Sequence, residues 1–289
     1  MLTATLALAL AVTPAQSGPV TLKWNLKEGD LFYAKTVQDM DMTIGVLGMN
    51  QDVKQKMTTV VRLKVKSASP SATVVEMTYV EFKADGAGIP GIEGLGEKLK
   101  GSTITATLND KMKVTKVEGY DKFIDALSGG DDNQKALMKA IMPEGTVQQM
   151  FSQTFAISPN KPVSVGDTWT DNDKMSLGPM GDFILKQTFK LDSVSGGIAK
   201  VSSKVEMEFK PGAGGGAFPL KITKADLKAD KFVGTYAFDI KAGRLQDSTA
   251  DGSIAGTMTA SAMGQEIEIS MKIKMKSGTT ITEKNPVRD

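Results

Sequence analysis

Gly86-Ala87-Gly88-Ile89-Pro90-Gly91 spells the G-x-G-x-x-G string whose backbone amides cradle a pyrophosphate. That chemistry needs a helix starting on the string and an acid about twenty residues on. Pro90 and the further glycines Gly94 and Gly96 prevent a clean helix start, so the stretch reads as a loop. Asp167, Asp171 and Asp173 gather oxygen ligands around Trp169, but the glycine and glutamate of an EF-hand loop do not follow. No metal is assigned to them. The chain has no histidine and no cysteine, which removes an imidazole base, a Ser-His-Asp triad, a thiolate nucleophile and Cys-ligated metal. No G-x-S-x-G elbow is present. The carboxylates form no recognisable catalytic pair, and serine and lysine are too common here to point to a dyad. We therefore expect no catalytic residue, no cofactor and no enzyme.

The remaining chemistry is apolar. Seventeen methionines match the 17 aromatic residues in number, and many sit at strand positions: Met40, Met42, Met57, Met77, Met207, Met258, Met271 and Met275. Unbranched, polarizable methionine adapts to varied apolar partners. Two readings fit: filler for a core short of aromatics, or an adaptable groove on the concave side of curved sheets. Copper binding does not, since Met40 and Met42 form the one short-spaced pair among these positions. Two glycine-rich stretches, Gly86 to Gly96 and Gly212 to Pro219, also carry apolar side chains. Ile89, Ile92 and Leu95 lie in or beside one, and Ala217, Phe218 and Leu220 in or beside the other. The candidate ligand-binding residues are Ile89, Ile92, Leu95, Phe218, Met57 and Met271.

The elements that hold these residues read mostly with period two. Val53, Met57, Val61, Leu63 and Val65 alternate with Lys54, Lys56, Arg62, Lys64 and Lys66; Ile267 to Met275 alternates in the same way with glutamates and lysines. Each segment thus has one dry and one wet face, the signature of antiparallel sheet solvated on one side. Helix is expected in one region, Gly119 to Phe155. Tyr120, Phe123, Ile124 and Leu127 form one face, Gly129 and Gly130 stop it, and Asp131 or Asp132 caps a second helix burying Leu137, Met138 and Ile141. Pro143 suits the first turn of a third, which carries Val147, Met150 and Phe151. The order of features repeats: Lys27-Glu28-Gly29-Asp30-Leu31-Phe32 opens one β region and Ser164-Val165-Gly166-Asp167-Thr168-Trp169 the other. The fold class is mainly β with a minor α part: two similar antiparallel curved-sheet lobes joined by a short helical segment. The expected divisions are a signal peptide over 1–17, a first lobe over 18–118, a helical bridge over 119–158 and a second lobe over 159–289, with the lobes related by internal duplication.

Leu2 to Val12 is apolar and uncharged, and Ala15 and Ser17 suit signal peptidase cleavage. The run is too short to span a bilayer. The expectation is an exported chain, periplasmic or extracellular, that is not transmembrane; with no cysteine, it is not lipid-anchored. Net charge is +2 and arginine occurs only at 62, 244 and 288, so nucleic acid is not an expected partner.

Leu22-Lys23-Trp24, Glu28-Gly29-Asp30, Pro159-Asn160-Lys161-Pro162-Val163 and Val165-Gly166-Asp167-Thr168-Trp169 carry a resemblance across nearly the whole chain after residue 17. The sequence resembles an uncharacterised family of exported bacterial proteins, classed only as a domain of unknown function. The resemblance implies export and a β-rich, two-lobed architecture and transfers no catalytic residue. In architecture alone, helix-bridged curved sheets also resemble lipid- and lipoprotein-carrier folds. The functional expectation is non-catalytic binding of an apolar ligand, lipid or an acylated protein. The alternative is an envelope structural or protein-interaction module, with a carboxylate-dependent hydrolase last.

Overall fold

The computed structural model describes residues 18–87, 94–159, 161–176, 178–212, 221–262 and 265–287. Eleven antiparallel strands follow the alternating segments. They are β1 (Leu31–Val46), β2 (Met49–Ala68), β3 (Ala72–Ala87), β4 (Thr103–Asn109), β5 (Val114–Glu118), β6 (Thr168–Ser176), β7 (Gly181–Ser195), β8 (Ile198–Pro211), β9 (Lys221–Asp239), β10 (Arg244–Ala262) and β11 (Gln265–Thr282). All belong to one sheet, ordered β5-β4-β3-β2-β1-β11-β10-β9-β8-β7-β6. The mainly β, antiparallel expectation holds. The strands of 18–118 and those of 159–289 meet through the β1–β11 ladder, which runs from Tyr33↔Thr282 to Val46↔Ile269.

The two Gly-Asp openings fold alike. In each, the aspartate Oδ2 accepts from the backbone N–H three residues earlier, Lys27 or Ser164, at 2.8 Å. The glycine N–H donates to the carbonyl of Val65 on β2 or Leu191 on β7. Those same residues donate back to the carbonyls of Asp30 and Asp167. A β-bulge follows at each site, between Val65 and Ser67 and between Leu191 and Ser193. Gly29 and Gly166 sit at φ +88° and +95°, where a side chain would be strained. The hairpins they open differ in length: Asp30 and Val65 are 35 positions apart, Asp167 and Leu191 only 24.

Among the described residues four α-helices accompany the sheet, α1 (Leu95–Leu99), α2 (Tyr120–Ser128), α3 (Asp132–Ile141) and α4 (Glu144–Phe155), with one 3-10 turn at Gly178–Met180. Helices α2, α3 and α4 occupy the expected region. Asp131 caps α3 by accepting from Gln134 N–H at 2.8 Å. Pro143 is the N-cap of α4 rather than a residue of its first turn. Leu137 and Met138 are half-buried rather than buried, and Met150 is exposed while Val147 and Phe151 of the same helix are buried. Helix α1 was not expected: five residues are too few for a periodic signal, and it packs on β3 and α2.

The sheet is left open between β5 and β6, and α4 sits between those edges. Its side chains meet the polar groups that an edge strand leaves unpaired. Gln148 Nε2 donates to Val114 O at 2.8 Å, and Ser152 Oγ accepts from Val114 N–H at 3.1 Å. On the other edge, Thr146 Oγ1 donates to Ser176 O at 2.6 Å and Gln149 Nε2 to Asp173 Oδ1 at 2.7 Å. Lys113, just before β5, reaches Asp171 on β6 at 2.7 Å, so the sheet curls until its edges come within one side chain of each other.

The core fills the end of this curl where the helices lie. Val20 pairs with Val163 in an isolated bridge and, with Leu22 and Trp24, enters the core beside Phe155, Phe189 and Phe238. Trp24 packs edge-on to Phe155 and Phe238, and its Nε1–H donates to Phe155 O at 3.1 Å. The outer face is charged. Lys56, Asp39, Lys276 and Asp251 stand opposite one another across β2, β1, β11 and β10, and Lys231 on β9 closes on Asp251 at 2.8 Å. Opposite charges in direct cross-strand register favour this alignment of strands.

Candidate functional site

Side chains alternate between the faces of a strand, so the residues lining the inside of the curl fix which face every other residue shares. Thr36 on β1, Val61 on β2, Met207 on β8, Ile254 on β10 and Met275 on β11 all line inner cavities. Counting by twos along each strand and across the registers places Met40, Met42, Met57, Met77, Met207, Met258, Met271 and Met275 on that same inner face. None of the eight lies on the charged outer face. A core filler and an adaptable groove both place methionine on this face, and the space left in front of it distinguishes them.

Two cavities lie between this face and the helices. The first, about 360 Å3, is bounded by Trp24, Phe32, Met77 and Tyr79 on one side and by Met142, Met150 and Phe151 on the other. The second, about 490 Å3, is bounded by Met175, Phe183, Leu185, Met207, Phe232 and Met275. Gln153 of α4 and Tyr236 of β9 border both, so the two adjoin across that pair. Each has the size of a small-molecule site, several hundred cubic ångströms lined mainly by apolar groups with a few polar ones.

The polar groups are mostly engaged. Gln187 Nε2 donates to Tyr236 Oη at 3.0 Å and Ser203 Oγ at 3.2 Å, which holds the tyrosine in place between the cavities. Gln38 Nε2 donates to Met275 Sδ at 2.9 Å, and Thr36 and Thr279 share a hydrogen bond of 2.9 Å. Arg244 borders the first cavity and pairs with Glu283. Burial pushes the Tyr79 hydroxyl above the usual phenol range, so it stays neutral. Gln55 is buried on the inner face beside Met40, and its Oε1 meets no donor.

The acids near the second cavity are bound into the fold. Asp171 takes both its bonds from Lys113, Asp173 accepts from Gln149 and from Lys174 N–H, and Asp167 closes its own turn. Among the described residues, no group of three or more acidic side chains is placed to hold a metal ion.

Of the sequence candidates, Met57 and Met271 lie on the inner face but beyond the two cavities, toward the hairpin ends of β1–β2 and β10–β11. Leu95 opens α1 and packs against the core. Ile89, Ile92 and Phe218 fall outside the described residues. The walls that sequence reasoning missed are Trp24, Tyr236 and the α4 residues Met150, Gln153 and Thr154. Tyr236 sits in an alternating strand and was readable as inward-facing. The α4 residues were not, because their partner is a sheet formed from distant segments.

Among the described residues, no helix is long and apolar enough to cross a membrane. No curated protein matches the chain. Among solved structures, one concerned with lipid–protein interactions in lipovitellin aligns over 92% of this chain at 10% identity and a TM-score of 0.49. That alignment covers only 26% of the lipovitellin chain. The outer membrane protein OprG of Pseudomonas aeruginosa aligns over 90% of this chain and 98% of its own, at 7% identity and a TM-score of 0.22. An outer membrane channel of Pseudomonas putida F1 covers 90% and 97%, at 9% identity and a TM-score of 0.24. A family described as of unknown function, DUF6263, matches residues 35–245.

Proposed function

The chain belongs to DUF6263, a family of unknown function, and from that premise we propose that it is an exported, non-catalytic binder of apolar ligands. The ligand is a lipid or the acyl portion of an acylated protein. One observation carries this reading: two adjoining apolar cavities open onto a sheet face to which the strand methionines are confined. A structural module needs no such space and gains stability by covering the apolar surface that lines it. Methionine suits a site that takes chains of varied length and unsaturation, because its side chain repacks at little cost. The charged ladder on the outer face suits water there rather than lipid tails, so the protein works outside the bilayer as a carrier or holder.

Uptake of a fluorescent long-chain fatty acid tests the proposal. Saturable binding near one equivalent, weakened by Ala34→Trp, is expected, because Ala34 lines the first cavity and a large ring there takes up its volume. No saturable uptake, or uptake untouched by Ala34→Trp and by Val205→Trp in the second cavity, would contradict it.

A further inference from the structure

The hairpin β1–β2 ends in a two-residue turn, Leu47-Gly48, with φ of +52° and +79°. Turns of this shape favour Asn-Gly or Asp-Gly, because both central residues adopt left-handed φ. Here a leucine occupies the first position, 74% exposed, and Met49 beside it is 72% exposed. A large apolar side chain is thus held in water at a strained backbone position where a small polar one would be more stable.

The surroundings fit that tip to one environment. Residues 42–51 carry no charge, although 24% of the chain is charged. Beyond β11, the end of β10 is uncharged from Gly252 to Ala262 as well. The nearest charges are mixed: Asp52, whose Oδ1 accepts from Thr43 at 2.6 Å, Lys272 on β11 opposite Thr43, Lys54 on β2 opposite Asp41, and Glu266 and Glu268 on β11. The tip also stands at the end of the longer of the two opening hairpins, on the side of the sheet away from the core. Two side chains on a narrow turn cannot supply the ~800 Å2 per partner of a stable protein interface. They can enter a bilayer interface, because an uncharged strand end brings no ionic desolvation with it.

We propose that the Leu47-Gly48-Met49 tip is a lipid-surface docking element, directed at zwitterionic headgroups by the mixed charges behind it. It goes beyond the ligand-binding reading and does not require the inner cavities to be occupied. The docked tip places the Met40, Met42, Met57 and Met271 part of the inner face nearest the membrane.

The test is co-sedimentation with phosphatidylcholine vesicles, using residues 18–289, which hold every strand and helix found among the described residues. The double variant Leu47→Asn, Met49→Thr is compared with the unaltered protein. An asparagine suits the first position of this turn, so the variant folds with an equal or higher melting temperature, and a loss of binding cannot be ascribed to unfolding. Partition is expected to fall about tenfold for each side chain, to change little between 50 and 500 mM salt, and not to strengthen on phosphatidylglycerol vesicles. Absence of vesicle binding by the unaltered protein, equal binding by the two proteins, or binding confined to anionic vesicles and lost in salt would overturn it. Failure of the fatty-acid uptake alone would leave it standing.

Discussion

Replacing Trp24 tests how residues 20–24 tie the open sheet to α4. The side chain is 7% exposed, lies 5.0 Å from Phe155 and 5.7 Å from Phe238, and gives its one proton to Phe155 O. That carbonyl ends α4, where the helix itself offers no donor. Trp24→Phe keeps most of the ring volume and leaves the carbonyl unmet, for a loss of about 1–3 kcal/mol. Trp24→Ala also removes both aromatic contacts and leaves a cavity, for about 3–5 kcal/mol. In a chain of this size the second change lowers the melting temperature by roughly 10 °C. Urea unfolding followed by circular dichroism measures both, since Trp24 is one of the chain's two tryptophans and its loss alters the fluorescence probe. A cost below about 1 kcal/mol for Trp24→Ala would mean that this segment is not wedged between sheet and helix, and the account of how α4 is held would be wrong.

Other consequences are quicker to check. Asp131→Ala removes the α3 cap and costs about 1 kcal/mol, read as lower amide protection confined to residues 132–141. Lys113→Met breaks the ion pair across the open edge; both groups are partly exposed, so stability falls by less than about 1 kcal/mol in a thermal melt. Hydrogen bonds from Lys139, Lys174 and Lys231 hold Asp121, Asp182 and Asp251 below the usual carboxylate range. Folding therefore favours their charged forms: the gain is complete above about pH 4 and fades as pH falls through the lowered values. With no histidine to titrate, the melting temperature stays level from pH 8 to pH 5 and drops only in acid. Met207→Asn with Met275→Asn puts two amides into the second cavity and weakens fatty-acid binding about tenfold in a fluorescence titration.

Much of the sheet was legible because period-two alternation is a local property. The run from Ile267 to Met275 shows its inner face without help from its partners. The Gly29-Asp30 and Gly166-Asp167 openings were legible as a repeated motif, though not the bulges at Val65 and Leu191 that they share. What alternation cannot supply is which strand end meets which. The β1–β11 ladder joins residues some 240 positions apart, and through it the strands of the two expected lobes share one continuous sheet. The site follows the same division. Methionines at alternating positions announced an apolar face, while the cavity walls contributed by Trp24 and α4 depend on where a short N-terminal segment and a helix come to rest. Helix α1 and the exposure of Met150 were missed for related reasons: one element is too short for periodicity, and the other lies at the mouth of a cavity, where an apolar side chain is retained without being covered.

Native mass spectrometry of the protein expressed with export, followed by solvent extraction, tests the central claim most directly. The account predicts a discrete added mass that leaves with the organic phase as lipid, and that is diminished in the Ala34→Trp and Val205→Trp proteins. A clean mass of the bare chain, together with a refined structure in which side chains fill both cavities, would contradict it and turn attention to the outer face and the hairpin ends as protein-interaction surfaces.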